Sequence, residues 1–201
     1  MNKVMKGFVL VVAFLFVGCA TRPAPTPLTA IHIDPDFHQL VSSKLYVLPI
    51  IDKRNDKSES ADIEKKIRER CAAVLQKKGY DVVLLSEFGG NPNSTAESIS
   101  RLSVDELYNF GPENAQSILF LYLNNVSTSY VVVQYTYTVE MTGLLLDKER
   151  KKVLWEGNGD VTMKYRGLAS AAATGPITTS FVAAMAPVDK MLKTFPDRID
   201  R

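Results

Sequence analysis

The side chains that build reactive centres are scarce in this sequence. Its 201 residues include two cysteines, two histidines and one tryptophan. A zinc site needs Cys and His clustered at short spacings. Here His32 and His38 stand near the amino-terminal end with no cysteine pair beside them, so they read as surface histidines. Neither a GxxxxGK phosphate loop nor a GxSxG elbow occurs, and Gly157-Asn158-Gly159 reads as a strand bulge or turn. No nucleophile, base and orienting group can be nominated together, so the expectation is a protein that is not an enzyme, with no catalytic residue, no metal and no cofactor.

An excess of one charge is also missing. Lys and Arg number 24 against 22 Asp and Glu, and setting aside Lys3 and Lys6 leaves 22 of each. The runs Lys65-Lys66 and Lys148–Lys152 are interrupted or flanked by Glu64, Glu69 and Glu149. A nucleic-acid partner needs a basic face that releases counterions, so this balance excludes that class. Hydrophobic residues make up 46%, enough to fill a core.

The amino terminus carries the clearest signal. Lys3 and Lys6 precede the apolar run Gly7–Val17, which is too short to span a bilayer but matches the hydrophobic region of a secretory signal. The run ends in Phe16-Val17-Gly18-Cys19. A small residue before a cysteine at that point resembles the bacterial lipoprotein signal, although Phe16 stands where Leu is preferred. The resemblance implies cleavage between Gly18 and Cys19, a lipid thioether on Cys19, and an amino terminus acylated by a chain such as palmitate. It also implies, from Ala20 in place of Asp, onward transport to the outer membrane. Each buried methylene contributes about 0.8 kcal/mol, so two or three chains hold a protein firmly without spanning the membrane.

Residues 1–18 therefore read as signal peptide, 19–33 as a lipidated proline-rich tether, and 34–201 as one globular domain. Pro23, Pro25 and Pro27 favour an extended polyproline spacer. Lys44–Ile50 reads as a strand closed by Pro49. Ser60 opens a helix whose stripe is Ile63, Ile67, Cys71, Val74 and Leu75, stopped by Gly79, with Cys71 as a small buried apolar residue. Tyr80–Leu85 is the next strand, which completes a βαβ crossover with parallel strands. Asp52, Asp56, Glu59 and Asp62 crowd the loop before the helix, where a solvated helix start explains them more simply than a weak cation site.

Two capping boxes, Ser94 with Glu97 and Ser103 with Glu106, predict two short helices. Ser117–Met163 alternates apolar and polar residues and predicts an antiparallel three-strand meander, with turns near Asn124–Ser129 and at Asp147–Lys152. Tyr122, Tyr130, Tyr135 and Tyr137 cover a core or line a partner surface. A helix over Ser180–Thr194, interrupted at Pro187, packs on the sheet. The fold class is thus α/β (α+β): a mixed β-sheet with a βαβ crossover, a meander, and helices against the sheet.

Lys44–Pro49, Gly79-Tyr80, Ile118–Leu123 with Ser129-Tyr130, Leu145–Asp147 and Val153–Gly157 together resemble a family of bacterial lipoproteins of unknown function, typified by a neisserial surface-antigen lipoprotein. That family is similar to the TolB amino-terminal fold, which the curli secretion lipoprotein also shares. The resemblance implies a non-enzymatic, outer-membrane-anchored periplasmic lipoprotein acting as an accessory or assembly subunit of a cell-envelope complex. Its partners would be the membrane, through the lipid anchor, an envelope protein, and further copies of itself as a homo-oligomer. The alternative is an oligomeric channel-forming lipoprotein of the curli-secretion kind.

Overall fold

In Ser117–Leu123 the alternation gives way to a nearly unbroken apolar run, which is what a strand packed on both faces requires. The computed structural model describes residues 30–54, 60–89, 95–131, 134–166 and 185–199. In chain order the elements are β1 (Ala30–Ile33), α1 (Phe37–Leu40), β2 (Lys44–Val47), β3 (Ile51–Asp52), α2 (Ser60–Lys77), β4 (Asp81–Leu84), α3 (Ala96–Ile99), α4 (Val104–Leu107), β5 (Ser117–Val131), β6 (Gln134–Asp147) and β7 (Lys152–Arg166). Residues 185–192 form a further helix, α5.

The strands make one open, mixed, seven-stranded sheet in the order β1-β7-β6-β5-β2-β4, with β3 also on β5. Strands β4, β2 and β5 run parallel, and β5, β6, β7 and β1 antiparallel. The helices and strands of the predicted crossover are present, with Lys44 opposite Asp81 and Val47 opposite Leu84. Val47 pairs Leu119 and Ile51 pairs Tyr122, so one extra residue sits on the β2–β3 side. Pro49 lies in that step, where a residue without an amide costs the ladder nothing.

Successive residues of β5 serve two cores. Leu119, Leu121 and Leu123 join Leu45, Val47, Trp155 and the α2 stripe Ile67, Cys71 and Leu75, together with Val188, Met191 and Leu192 of α5. Ile118 and Phe120 face the other way, against Ile99, Leu107, Tyr108 and Phe110. Phe195 is the hub of the first core. Its ring meets those of Trp155, Phe37 and Tyr80 edge-on, with centroids 4.9, 5.5 and 5.5 Å apart.

Several expectations change. Ala30–Ile33, assigned to the tether by sequence, is strand β1 on the edge of β7, so the domain begins four residues before Asp34. No turn breaks β5 at 124–129. The ladder shifts register between Leu123 and Asn125 and then continues to Val131. Asn124 is held in this bulge because its Nδ2 donates to Thr142 Oγ1 at 2.8 Å, and Thr142 Oγ1 donates to Asn158 Oδ1 at 3.0 Å. Gly157-Asn158-Gly159 makes no turn and is regular strand in its ladder with β6, while β1 carries one extra residue beside Gly157. The first capping box joins Thr95 to Ser98 (Ser98 N to Thr95 Oγ1, 3.2 Å), while Glu97 pairs with Arg101 at 2.7 Å. The second forms as predicted, with Ser103 N donating to Glu106 Oε2 at 2.8 Å. Of the predicted carboxy-terminal helix, residues 180–184 lie outside the described residues, and Pro187 is inside α5.

Candidate functional site

The residues on which the sequence reading places lipid attachment and cleavage, Gly18 and Cys19, lie outside the described residues, as does the proline tether. Within the described domain three places carry polar chemistry.

The first is the carboxyl end of the parallel strands. Asp52 closes β3, and Arg54 turns back onto it: Arg54 Nε donates to Oδ1 at 2.9 Å and Nη2 to Oδ2 at 2.7 Å. Both side chains are buried, 7% and 4% exposed, and the bond to Asp52 raises the Arg54 pKa above its usual value. A guanidinium therefore lies on both carboxylate oxygens, which leaves Asp52 poorly placed as a cation ligand. Asp56 and Glu59 of the same acidic group lie outside the described residues. From α2, Arg68 Nη2 donates to the Val47 and Leu85 carbonyls, and burial lowers the Arg68 pKa. Arg68 thus ties together the ends of β2 and β4. Lys53 Nζ stands 4.4 Å from the centre of the Tyr122 ring, whose hydroxyl is pushed up to about 12 by burial.

The second is a cleft of about 360 Å³ between 85–89 and 111–113, with Glu87 and Glu113 at its rim. Gly89 and Gly111 take φ values of 70° and 74°, and the Gly111 amide donates to the Phe88 carbonyl at 2.8 Å. Lys148 Nζ donates to the Pro112 carbonyl at 3.0 Å. These bonds hold the two walls in place. Among the described lining residues the two charged ones, Glu87 and Glu113, are both exposed.

The third is the far half of the meander. Beyond the rung Glu140–Asp160, β5, β6 and β7 continue as a three-stranded arm to Val131, Gln134 and Arg166. On one side of this arm Tyr137 and Val139 are buried. On the other, Ser127, Ser129 and Lys164 are exposed and Thr138 Oγ1 lies 3.2 Å from Thr162 Oγ1. The charged turn 148–151 lies at the opposite end of the sheet, so an inserting β5–β6 hairpin would not carry it. Of the four tyrosines singled out, Tyr137 covers the core and Tyr122 is half-buried, while the side chains of Tyr130 and Tyr135 lie outside the described residues.

His32 and His38 are exposed, as expected for surface histidines. Among the described residues no group of three or more His, Cys, Asp or Glu is placed to hold a metal ion. Cys71 is fully buried and burial pushes its thiol up to about 12, so it stays protonated at neutral pH. No described helix is long and apolar enough to cross a membrane. The Arg54–Asp52 pair and the Arg68 clasp were missed by sequence reasoning. The only signal available was charge in a strand-to-helix loop and on the flank of an apolar helix stripe.

No protein-family model and no curated protein matches the chain. Solved structures similar to it include lipoprotein GNA1162 from Neisseria meningitidis, at 18% identity and a TM-score of 0.48, covering 70% of this chain and 97% of that one. The PelC dodecamer from Paraburkholderia phytofirmans is similar at 17% identity and a TM-score of 0.43, over 80% and 99% of the two chains. A minor lipoprotein from Acinetobacter baumannii is similar at 8% and 0.41, over 75% and 90%. Two of these similar structures are lipoproteins, one of them neisserial.

Proposed function

We propose that this chain is an outer-membrane-anchored periplasmic lipoprotein that acts as a non-enzymatic accessory or assembly subunit of a cell-envelope complex. The observation that carries this reading is the leader: two lysines, an apolar run of signal length, and Gly18-Cys19 in register at its end. A mixed sheet with helices against it follows that leader in the chain. At the strand ends the Asp52 carboxylate is taken up by Arg54, and Arg68 Nη2 is bound to backbone carbonyls, which supports recognition through surfaces over chemistry at a centre. The test is a Cys19→Ser variant followed by fractionation and fatty-acid labelling. Loss of label together with release from the membrane supports the anchor, whereas retention as firm as the parent's defeats it. Crosslinking in the envelope and identification of the captured protein would then name the partner.

A second reading, an oligomeric channel, is favoured by strand length. β5, β6 and β7 have 15, 14 and 15 residues, and a spanning strand needs about 9–11. Against it stands the burial of Tyr137 and Val139, 3% and 1% exposed, within a single chain. A spanning arm must give that packing up to face lipid. Ring-sized particles that conduct ions in planar bilayers would decide for the channel.

A further inference from the structure

An open sheet must guard its edges, because an exposed edge strand offers unpaired amides and carbonyls to another chain. Most edges described in this sheet carry a recognisable guard. β1 is bulged between Ala30 and His32. Beyond Gly157, where β1 ends, the Asp160 carbonyl of β7 accepts from Lys190 Nζ at 3.0 Å, and Lys164 stands exposed. Beyond Leu123, where β3 ends, β5 is bulged at Asn124. Bulges and edge lysines both discourage the addition of a strand.

β4 has neither device. It is the last strand of the sheet, and among the described residues it pairs only with β2, in unbroken register from Lys44–Asp81 to Val47–Leu84. The Asp81 amide donates to the Ser43 carbonyl at 2.8 Å and the Leu85 amide to the Val47 carbonyl at 2.9 Å. Bonds to a neighbouring strand come from alternate residues, so the N–H and C=O groups of Val82 and Leu84 point away from β2 and out of the edge. The strand contains no Lys, Pro or Gly, its only charge is Asp81, and Leu84 is 39% exposed although it is large and apolar. Directly after Leu84 the chain becomes one wall of the cleft of about 360 Å³ that faces 111–113. Glu87 and Glu113 are exposed at its rim, and among the described residues neither is in an ion pair. The Lys148 ammonium on the far wall is taken up by the Gly111 and Pro112 carbonyls.

We propose that β4 is a docking edge that takes an extended segment of a partner protein as a further strand, with a basic side chain of that segment seated in the cleft between Glu87 and Glu113. Main-chain bonds to Val82 and Leu84 supply affinity, an apolar side chain covers Leu84, and the cation supplies selectivity through its charge complement. A second copy of this chain fits less well: its other edges are guarded, and its β4 brings no basic residue. The inference deepens the reading of this domain as an assembly subunit and rests on it, but it does not depend on the lipid anchor.

The test presents the full chain, in detergent micelles, to a phage-displayed library of short random peptides and follows amide exchange with each selected peptide bound. The proposal expects peptides that alternate β-branched or apolar residues with polar ones and carry a Lys or Arg, and that slow exchange at Val82 and Leu84 but not on the β1 edge at Ile33. Leu84→Pro removes an outward amide and leaves the bonds from Asp81 and Leu85 to β2, so it should weaken binding about tenfold. If Leu85 exchange shows that this variant disturbs the ladder, Leu84→Lys, which keeps the amide and adds an edge charge, replaces it. Glu87→Lys combined with Glu113→Lys should weaken binding about threefold or more. An empty selection, or peptides that bind without protecting Val82 and Leu84, overturns the docking edge. Binding indifferent to the two glutamates overturns the basic segment, and protection of the edge in the peptide-free chain that rises with its concentration overturns the partner in favour of a second copy. Each of these results leaves the anchor, tested by Cys19→Ser, as it stands.

Discussion

Gly143 of β6 lies directly opposite Gly157 of β7, and the indole of Trp155 occupies the space that both glycines leave open. A Cβ at Gly143 would come within 2.7 Å of the indole, and one at Gly157 closer still. Two residues on, a Cβ at Gly159 would overlap the Pro187 carbonyl oxygen. Glycine in a strand normally weakens it. Here the three together let a tryptophan and a helix lie against bare backbone, and Trp155 is held there by donating from Nε1 to Thr194 Oγ1 at 3.2 Å.

Gly157→Ala should therefore destabilise the domain by overpacking, by about 1–3 kcal/mol. Urea unfolding followed by far-ultraviolet circular dichroism, which does not depend on the indole, measures it. If the loss comes from the indole, Trp155→Leu in the same chain must recover part of it. Strict additivity of the two substitutions would place the strain elsewhere.

Asp34 ties the domain's entry strand to the start of β7. Its carboxylate accepts from Lys152 Nζ at 3.0 Å and from the Asp36 amide at 2.8 Å, and the bond from Lys152 holds its pKa below 3.8. A carboxyl whose pKa is lower folded than unfolded stabilises fully above the unfolded value, about 3.9. That contribution is lost as pH falls through the lower folded value. Comparing urea midpoints of the parent and Asp34→Asn from pH 6 down to pH 2 should show the two curves converging in acid. Parallel curves across that range would remove Asp34 from the account.

The Cys71 thiol is predicted to resist modification as long as the fold is closed. Burial and a thiol pKa near 12 leave almost no thiolate at pH 8. With Cys19 in a thioether, a thiol reagent should find nothing in the native protein and a single thiol in urea. Two thiols in urea would contradict lipidation, and rapid native labelling would contradict the burial.

Arg68→Gln tests the clasp at the strand ends. Removing the guanidinium takes its donor from the Leu85 carbonyl, at a cost of about 1–3 kcal/mol, while the Val47 carbonyl loses the second of its two donors. Leu85 N donates to the Val47 carbonyl at 2.9 Å, so its amide should exchange faster in the variant. An unchanged exchange rate at Leu85 would mean that Arg68 is not what holds these ends.

The helix stripe and the meander were legible because each repeats a period. Ile67, Cys71 and Leu75 recur at helical spacing and all prove to be buried. Strand β6 alternates Tyr137, Val139 and Met141 inward against exposed Glu140. The bulge at Asn124 was not legible. Its polar pair, Asn124-Asn125, has turn chemistry, and only Thr142, 18 residues on, and Asn158, 16 residues beyond that, make it part of a strand. The same holds for Gly157 and Gly159, which read locally as breakers and act as a seat for Trp155 and Pro187.

By itself the sequence determined the signals that act locally: an apolar run ending at Gly18-Cys19, a balanced charge, the helix stripe, and the alternation of β6. These depend on neighbours within a few residues, where periodicity and composition decide. Tertiary structure alone decided that Ala30–Ile33 pairs with β7, that Arg54 covers Asp52, and that Arg68 reaches two strand ends. Such pairings join segments whose separation in the chain carries no pattern, and they form only when burial of the two cores brings those backbones together.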